Sequence, residues 1–143
     1  MQSSRITKTR FIYGGAQMDD QTVYNYLKSK PESTLDYPFD LTTAVFKVQN
    51  KMFALFYKKD DLYQINLKCD PQQAVMLRDI FSAVKPGYHM NKTHWNTVLL
   101  DGSLPQGEIE RMIDHSYTLV VKGLKKSIRL GLEARHGQAT LYR

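Results

Sequence analysis

Three short strand-like runs follow one another in the middle of the chain and constrain its fold more than any other feature. The runs are Thr42–Val48, Met52–Tyr57 and Leu62–Lys68, and each contains the β-branched and aromatic residues that favour strands. The connections between them, 49–51 and 58–61, are far shorter than a parallel crossover requires. The three runs are therefore predicted to form an antiparallel meander.

Alternation along these runs predicts one apolar and one polar sheet face, because successive side chains of a strand point to opposite sides. The apolar face takes Ala44, Phe46 and Val48 from the first run and Tyr63, Ile65 and Leu67 from the third. The polar face takes Thr43, Val45, Lys47, Gln64, Asn66 and Lys68. The middle run is apolar on both sides, with Met52, Ala54 and Phe56 opposite Phe53, Leu55 and Tyr57. That pattern is expected for a strand with a neighbour on each side.

Capping residues predict where two helices begin, because a short acidic side chain accepts hydrogen bonds from the free donors of a first turn. Asp19 or Asp20 opens the first helix, which ends at Pro31, and Glu32–Asp40 is predicted to be a loop. Asp70-Pro71 opens the second helix. Its apolar face is predicted to continue through Ala74, Leu77, Phe81 and Val84.

Two further strands and a third helix complete the predicted domain. The strands are Tyr88–Met90 and Trp95–Leu100. The helix is opened by Ser103 and Pro105, and its apolar stripe contains Ile109, Met112, Ile113, Ser116, Tyr117, Val120, Val121 and Leu124. From Lys125 onward we expect no core stripe. This order of elements predicts a two-layer α+β domain, helix, three strands, helix, two strands and helix, with helices packed on a largely antiparallel sheet.

The net charge of +6 is concentrated near the C-terminus. Residues 21–121 carry 11 basic and 11 acidic side chains, whereas residues 122–143 carry six basic side chains and one acidic side chain. A basic excess suggests nucleic-acid binding, but a neutral body supports it only if its lysines collect on one side. The predicted organisation is an N-terminal extension at 1–18, a folded domain at 19–128 and a basic tail at 129–143.

Composition excludes several classes of protein. A lone cysteine, Cys69, leaves neither an internal disulfide nor a cysteine-based zinc site. No window reaches the roughly 18 to 20 apolar residues that cross a bilayer, and Met1–Arg10 lacks the apolar run of a secretory signal. We expect a cytoplasmic monomer with no metal, no cofactor and no membrane contact.

The segment Lys85–Asp101 is dense in chemically active side chains and allows four interpretations. His89 and His94, joined by His115 and Asp114, could bind a metal, or the imidazoles could act as acid and base. A polyanion could be contacted by Lys85, His89, Asn91, Lys92 and Trp95. Alternatively, the segment is structural: Asn91 and His94 hydrogen-bond a bent backbone and Trp95 fills the core.

The same segment resembles the MmcQ/YjbR family of small bacterial proteins. That family's pattern is a basic residue and Pro, then His, Asn-Lys, His-Trp and Asp-Gly, matched here by Lys85, Pro86, His89, Asn91, Lys92, His94, Trp95, Asp101 and Gly102. The resemblance extends from about Asp19 to about Ile128. It implies a fold like that of secretion chaperones and a double-wing surface proposed to bind DNA in some members. It brings no catalytic residue and no cofactor.

Together these observations lead to one hypothesis and two alternatives. The hypothesis is a non-enzymatic module that contacts DNA phosphates with Lys47, Lys68, Lys85, His89, Asn91, Lys92, Lys125 and Lys126. The first alternative is a protein-interaction module that receives a partner peptide on its sheet. The second is a small-ligand or enzymatic site around His89, His94 and Trp95.

Overall fold

The computed structural model of the chain describes residues 20–143, in which five helices accompany one six-stranded sheet. The elements are α1 Asp20–Ser29, β1 Ser33–Asp36, β2 Ala44–Val48, β3 Lys51–Lys59, β4 Leu62–Lys68, α2 Pro71–Ile80, β5 Val84–Pro86, β6 Trp95–Leu99, α3 Gln106–Lys122, α4 Lys126–His136 and α5 Gln138–Leu141. In space the strands run β1-β2-β3-β4-β6-β5, and every neighbouring pair is antiparallel. The predicted α+β class is confirmed. The extension predicted for residues 1–18 lies outside the described residues.

The predicted meander is confirmed as β2, β3 and β4, but strict alternation along β3 is wrong. Phe46 lies opposite Ala54 and Lys47 lies opposite Met52, so Phe53 is an extra residue on β3. This β-bulge breaks the two-residue period. Phe53 and Ala54 therefore both enter the main core, while Met52 moves to the opposite sheet face.

Helix α3 packs across one sheet face, and its predicted stripe is confirmed from Ile109 to Val121. Ser116 joins the helix to the bulge, because its hydroxyl donates to the Phe53 carbonyl at 2.6 Å and accepts from the Lys68 amide at 2.8 Å. That one buried side chain satisfies two backbone groups where the bulge interrupts the strand ladder. Within residues 20–143, none of the helices has both the length and the apolarity to span a bilayer.

Three local predictions are wrong near the edges of the sheet. Glu32–Asp40 contains a strand, β1, which pairs with β2 and has too few apolar residues to be recognised from periodicity. Helix α2 ends at Ile80, because Phe81 adopts an extended conformation, and Val84 begins β5 instead of extending the helix. Tyr88–Met90 is not a strand, and its backbone is held by side chains, as shown below.

The C-terminal residues pack on the domain, although no apolar stripe continues beyond Lys125. Leu132 of α4 and Leu141 of α5 are both fully buried in the main core. The helices are separated by Gly137 at φ +82°, and each contributes one leucine, so no continuous apolar stripe is visible in the sequence. Hydrogen bonds from Arg135 and His136 to Glu32 lower the pKa of that carboxyl to about 2.

We predict that Leu132→Ala lowers the free energy of unfolding by about 2–5 kcal/mol, because it removes a fully buried side chain and leaves a cavity. Urea unfolding measures the change. The matched control is Leu130→Ala in the same helix, where the side chain is 47% exposed and the loss should be much smaller. Equal unfolding midpoints for the two variants would contradict the packing of the C-terminal helices on the core.

Candidate nucleic-acid interface

The sheet face turned away from α3, which we call the second face, has a small apolar cluster of its own. Val45, Leu55 and Tyr57 are buried there. Three partly buried side chains pack against them: Met52 of β3, Trp95 at the start of β6, and Met90 from the chain that connects β5 to β6. The connection 87–94, which we call the β5–β6 loop, therefore lies over part of the second face.

A buried hydrogen-bond network fastens the β5–β6 loop to the second face. The hydroxyls of Tyr57 and Thr97 both donate to Asn66 Oδ1, each at 2.7 Å, and Asn66 Nδ2 donates to the Tyr88 carbonyl at 3.0 Å. The Tyr88 amide donates in turn to Thr97 Oγ1 at 2.8 Å. Burial raises the pKa of Tyr57, which keeps its hydroxyl protonated as a donor. Both main-chain groups of Tyr88 are thus bonded to sheet side chains. We call the hydrogen bonds among Tyr57, Asn66, Tyr88 and Thr97 the Asn66 network.

The loop also holds its own backbone, which confirms the structural interpretation for Asn91. Asn91 Oδ1 accepts from the amides of Thr93 at 2.9 Å and His94 at 3.2 Å. Lys92 Nζ donates to the Gly87 carbonyl at 2.7 Å. These two polar groups stabilise the bend, and the prediction that they contact phosphate stays a prediction.

The side chains of three of the predicted lysines project from the second face. Antiparallel partners that lie directly opposite one another point to the same side of a sheet. Lys47 lies opposite Met52 and Lys68 lies opposite Trp95, and both partners belong to the second-face cluster. Lys85 lies opposite Thr97, a member of the Asn66 network. The structure therefore brings Lys47, Lys68 and Lys85 to one surface, as the DNA-binding hypothesis requires.

Carboxylates are scarce on this surface. Among the six described strands and the β5–β6 loop, Asp36 is the only acidic residue. It lies 3.2 Å from Lys47 Nζ, and the Lys47 side chain is only 17% exposed. Neither Lys68 nor Lys85 has a carboxylate within ion-pair distance among residues 20–143. Of the three lysines on the second face named above, these two are therefore free to neutralise an external anion.

The remaining predicted contacts divide between two sides of the sheet. His89 lies in the β5–β6 loop with its ring centroid 4.0 Å from that of Tyr88, so it belongs to the second face. Lys125 and Lys126 begin α4, whose buried Leu132 is part of the main core. These two lysines therefore belong to the helical side and do not join the cationic surface.

The side chains considered for metal or acid–base chemistry do not converge. His89 and His94 are both exposed, and no hydrogen bond or ring contact joins them in the described part of the chain. His115 Nε2 accepts from the Asp70 amide at 3.2 Å, and burial lowers the pKa of His115. Asp114 accepts from Tyr26 and Lys30. Residues 20–143 contain no group of three or more His, Cys, Asp or Glu that could hold a metal.

The remaining motif residues shape the backbone around the loop. Pro86 ends β5 and Trp95 begins β6. Asp101 Oδ1 accepts from the amide and hydroxyl of Ser103, and Gly102 has φ +85°, a conformation that favours glycine. Asp101 and Gly102 therefore shape the bend between β6 and α3.

Sequence reasoning missed the Asn66 network. Alternation placed Asn66 on the polar face, yet the residue is only 2% exposed. The available clue was a strand in which Asn66 lies between the apolar residues Ile65 and Leu67. Which group it bonds could not be read from the sequence, because Tyr88 lies 22 positions further along the chain.

These features define a class of small α+β modules with helices on one sheet face and a loop fastened across the other. The family model described as YjbR matches residues 28–119. The protein YbdF of Escherichia coli O157:H7 is 36% identical over 113 residues, which cover 76% of this chain and 93% of that protein. The protein YjbR of Escherichia coli K12 is 36% identical over 104 residues, which cover 73% and 88%. The chain belongs to the YjbR family.

Solved structures support the same assignment. A crystal structure of a Deinococcus radiodurans protein with a DUF419 domain superposes with a TM-score of 0.73 at 36% identity, covering 78% of this chain and 86% of that one. A crystal structure of a Pseudomonas syringae protein superposes with a TM-score of 0.64 at 33% identity, covering 71% and 98%. Both likenesses confirm the predicted family fold.

We predict that Gly87→Ala destabilises the protein by roughly 1–3 kcal/mol, the usual range for overpacking. An added Cβ at Gly87 would lie 2.8 Å from both Cβ and the carbonyl oxygen of Trp95. Thermal unfolding measures the loss, and the emission maximum of the single tryptophan should move to longer wavelength. The matched control is Gly107→Ala in α3, where an added Cβ meets nothing within 4 Å. An unchanged melting temperature and emission for Gly87→Ala would contradict the close approach of the loop to β6.

Proposed function

We propose that this protein is a non-enzymatic nucleic-acid-binding module that contacts phosphates with its second face. The supporting observation is charge segregation: Lys68 and Lys85 both project from one sheet face, and neither has a carboxylate partner among the described residues. The body is neutral overall, so this separation gives it a cationic side that net charge does not reveal. A cationic surface attracts polyanions and concentrates them near the protein.

The small number of free cations favours weak and strongly salt-dependent binding. Each phosphate that a lysine neutralises releases condensed counterions, which lowers affinity as salt rises. Lys59 adds a third ammonium near the same surface, although it also lies 3.3 Å from Asp60 Oδ2. Phosphate contacts of this kind position a nucleic acid without reading its sequence.

A second candidate function is peptide binding at the outer edge of β1. This strand is an edge of the sheet, and the residues in and after it expose apolar side chains: Leu35 at 37%, Tyr37 at 43%, Phe39 at 64% and Leu41 at 93%. An exposed edge can accept an extended peptide as an additional strand. Salt separates the two functions, because main-chain hydrogen bonds and apolar contacts survive salt concentrations that release a polyanion.

We predict that Lys68→Gln with Lys85→Gln weakens DNA binding and reduces the slope of log affinity against log salt by about 1.4–1.8, since each of the two lost phosphate contacts removes about 0.7–0.9. Fluorescence anisotropy with labelled oligonucleotides, single-stranded and duplex, over a potassium chloride series measures both quantities. The matched control, Lys125→Gln with Lys126→Gln, removes the same charge from the helical side and should leave the slope unchanged.

Two results would contradict this proposal. Equal losses in the two double variants would mean that net charge, not the second face, determines affinity. Absence of binding to either form of DNA at low salt would remove the function altogether.

A further inference from the structure

We infer that the second face takes a single strand of nucleic acid, with an unpaired base stacked on the exposed Tyr88–His89 ring pair. This inference rests on the proposed function and adds to it the form of the nucleic acid and the group that is bound. Phosphate contacts alone do not distinguish a single strand from a duplex, whereas a stacking site does.

The geometry around Tyr88 provides an aromatic surface that is supported and still accessible. Its side chain is 39% exposed. The His89 ring centroid lies 4.0 Å from that of Tyr88 with the planes tilted by 41°, and the buried Tyr57 ring lies 6.2 Å away. Lys59 Nζ lies over the Tyr88 ring, 4.8 Å from its centroid. A pair of polarisable rings with an ammonium group against it is the combination that binds a base and its phosphate together.

The backbone that carries this ring pair is held before any ligand arrives. The Tyr88 amide donates to Thr97 Oγ1, and the Tyr88 carbonyl accepts from Asn66 Nδ2. His89 has φ +58°, in the left-handed region that residues other than glycine seldom adopt. A side chain carried on an already ordered backbone loses less conformational entropy on binding, which favours affinity.

A single strand fits this site better than a duplex. In a duplex the bases are stacked on one another, and presenting one to an outside ring requires it to be flipped out at a cost in free energy. A single strand offers its bases without that cost. Lys68 and Lys85 project from the same sheet face as the ring pair and are free to contact the phosphates on either side of the stacked base.

The test compares three ligands at one low salt concentration: an oligothymidylate, an abasic deoxyribose-phosphate strand of equal length, and a duplex of that length. We expect the wild-type protein to bind the oligothymidylate at least about fivefold more tightly than the abasic strand, the smallest effect usual for one stacked base. Tyr88→Ala should remove that difference, and Tyr88→Phe should preserve it because the ring remains. Tyr37→Ala is the control, since Tyr37 is 43% exposed but follows β1.

The outcomes separate this inference from the proposed function. Equal binding of the abasic strand and the oligothymidylate by the wild-type protein would overturn base stacking and leave phosphate binding intact. Tighter binding of the duplex than of either strand would overturn the preference for a single strand. Absence of binding to all three ligands would overturn both proposals. The wild-type comparison needs no variant, so it remains decisive even if Tyr88→Ala fails to fold.

Discussion

The arrangement of the second face depends on the side-chain amide of Asn66. This amide is buried in the sheet, where its oxygen accepts from Tyr57 and Thr97 and its nitrogen donates to Tyr88. A buried amide group without a partner is costly, and the Asn66 nitrogen has its partner, the Tyr88 carbonyl, only when the β5–β6 loop is in place. The loop in turn covers the small apolar cluster and positions the exposed rings. One polar residue therefore links the packing of the sheet to the surface that we propose as the binding site.

This interaction changes how the densest sequence motif is understood. Asn91 and Lys92 form part of a family pattern that invites a functional role, yet their polar atoms bond the loop backbone. The groups left for a ligand are the exposed rings of Tyr88 and His89 and the ammonium groups of Lys68 and Lys85. Much of the motif stabilises the β5–β6 loop, and a smaller set of neighbouring residues is available to contact a ligand.

Much of the fold could be predicted because strong periodicity reports directly on burial. The predictions of the meander and of α3 are confirmed for that reason. The bulge at Phe53 could not be foreseen, because β3 is apolar on both sides and a shift of one residue leaves its pattern unchanged. The burial of Leu132 and Leu141 could not be predicted, because each is the only buried residue of a short helix and so forms no apolar stripe. Local periodicity cannot register a contact that only the tertiary structure creates.

Part of the candidate site could also be predicted. Alternation correctly placed Lys47 and Lys68 on one face, but the position of Lys85 depends on the register between β5 and β6. Lys125 and Lys126 could not be excluded from the cationic surface without knowing where α4 packs. Tyr88 was predicted to lie in a strand, so its role as an exposed ring on a fixed loop was missed.

The most direct test of this account is a titration of ¹⁵N-labelled protein with oligothymidylate, followed by amide chemical shifts. We expect the largest changes at Lys68, Lys85, Tyr88 and His89, while the amides of α4 remain almost unchanged. Largest changes in α4, or along the apolar residues that follow β1, would contradict the claim that the second face is the binding surface.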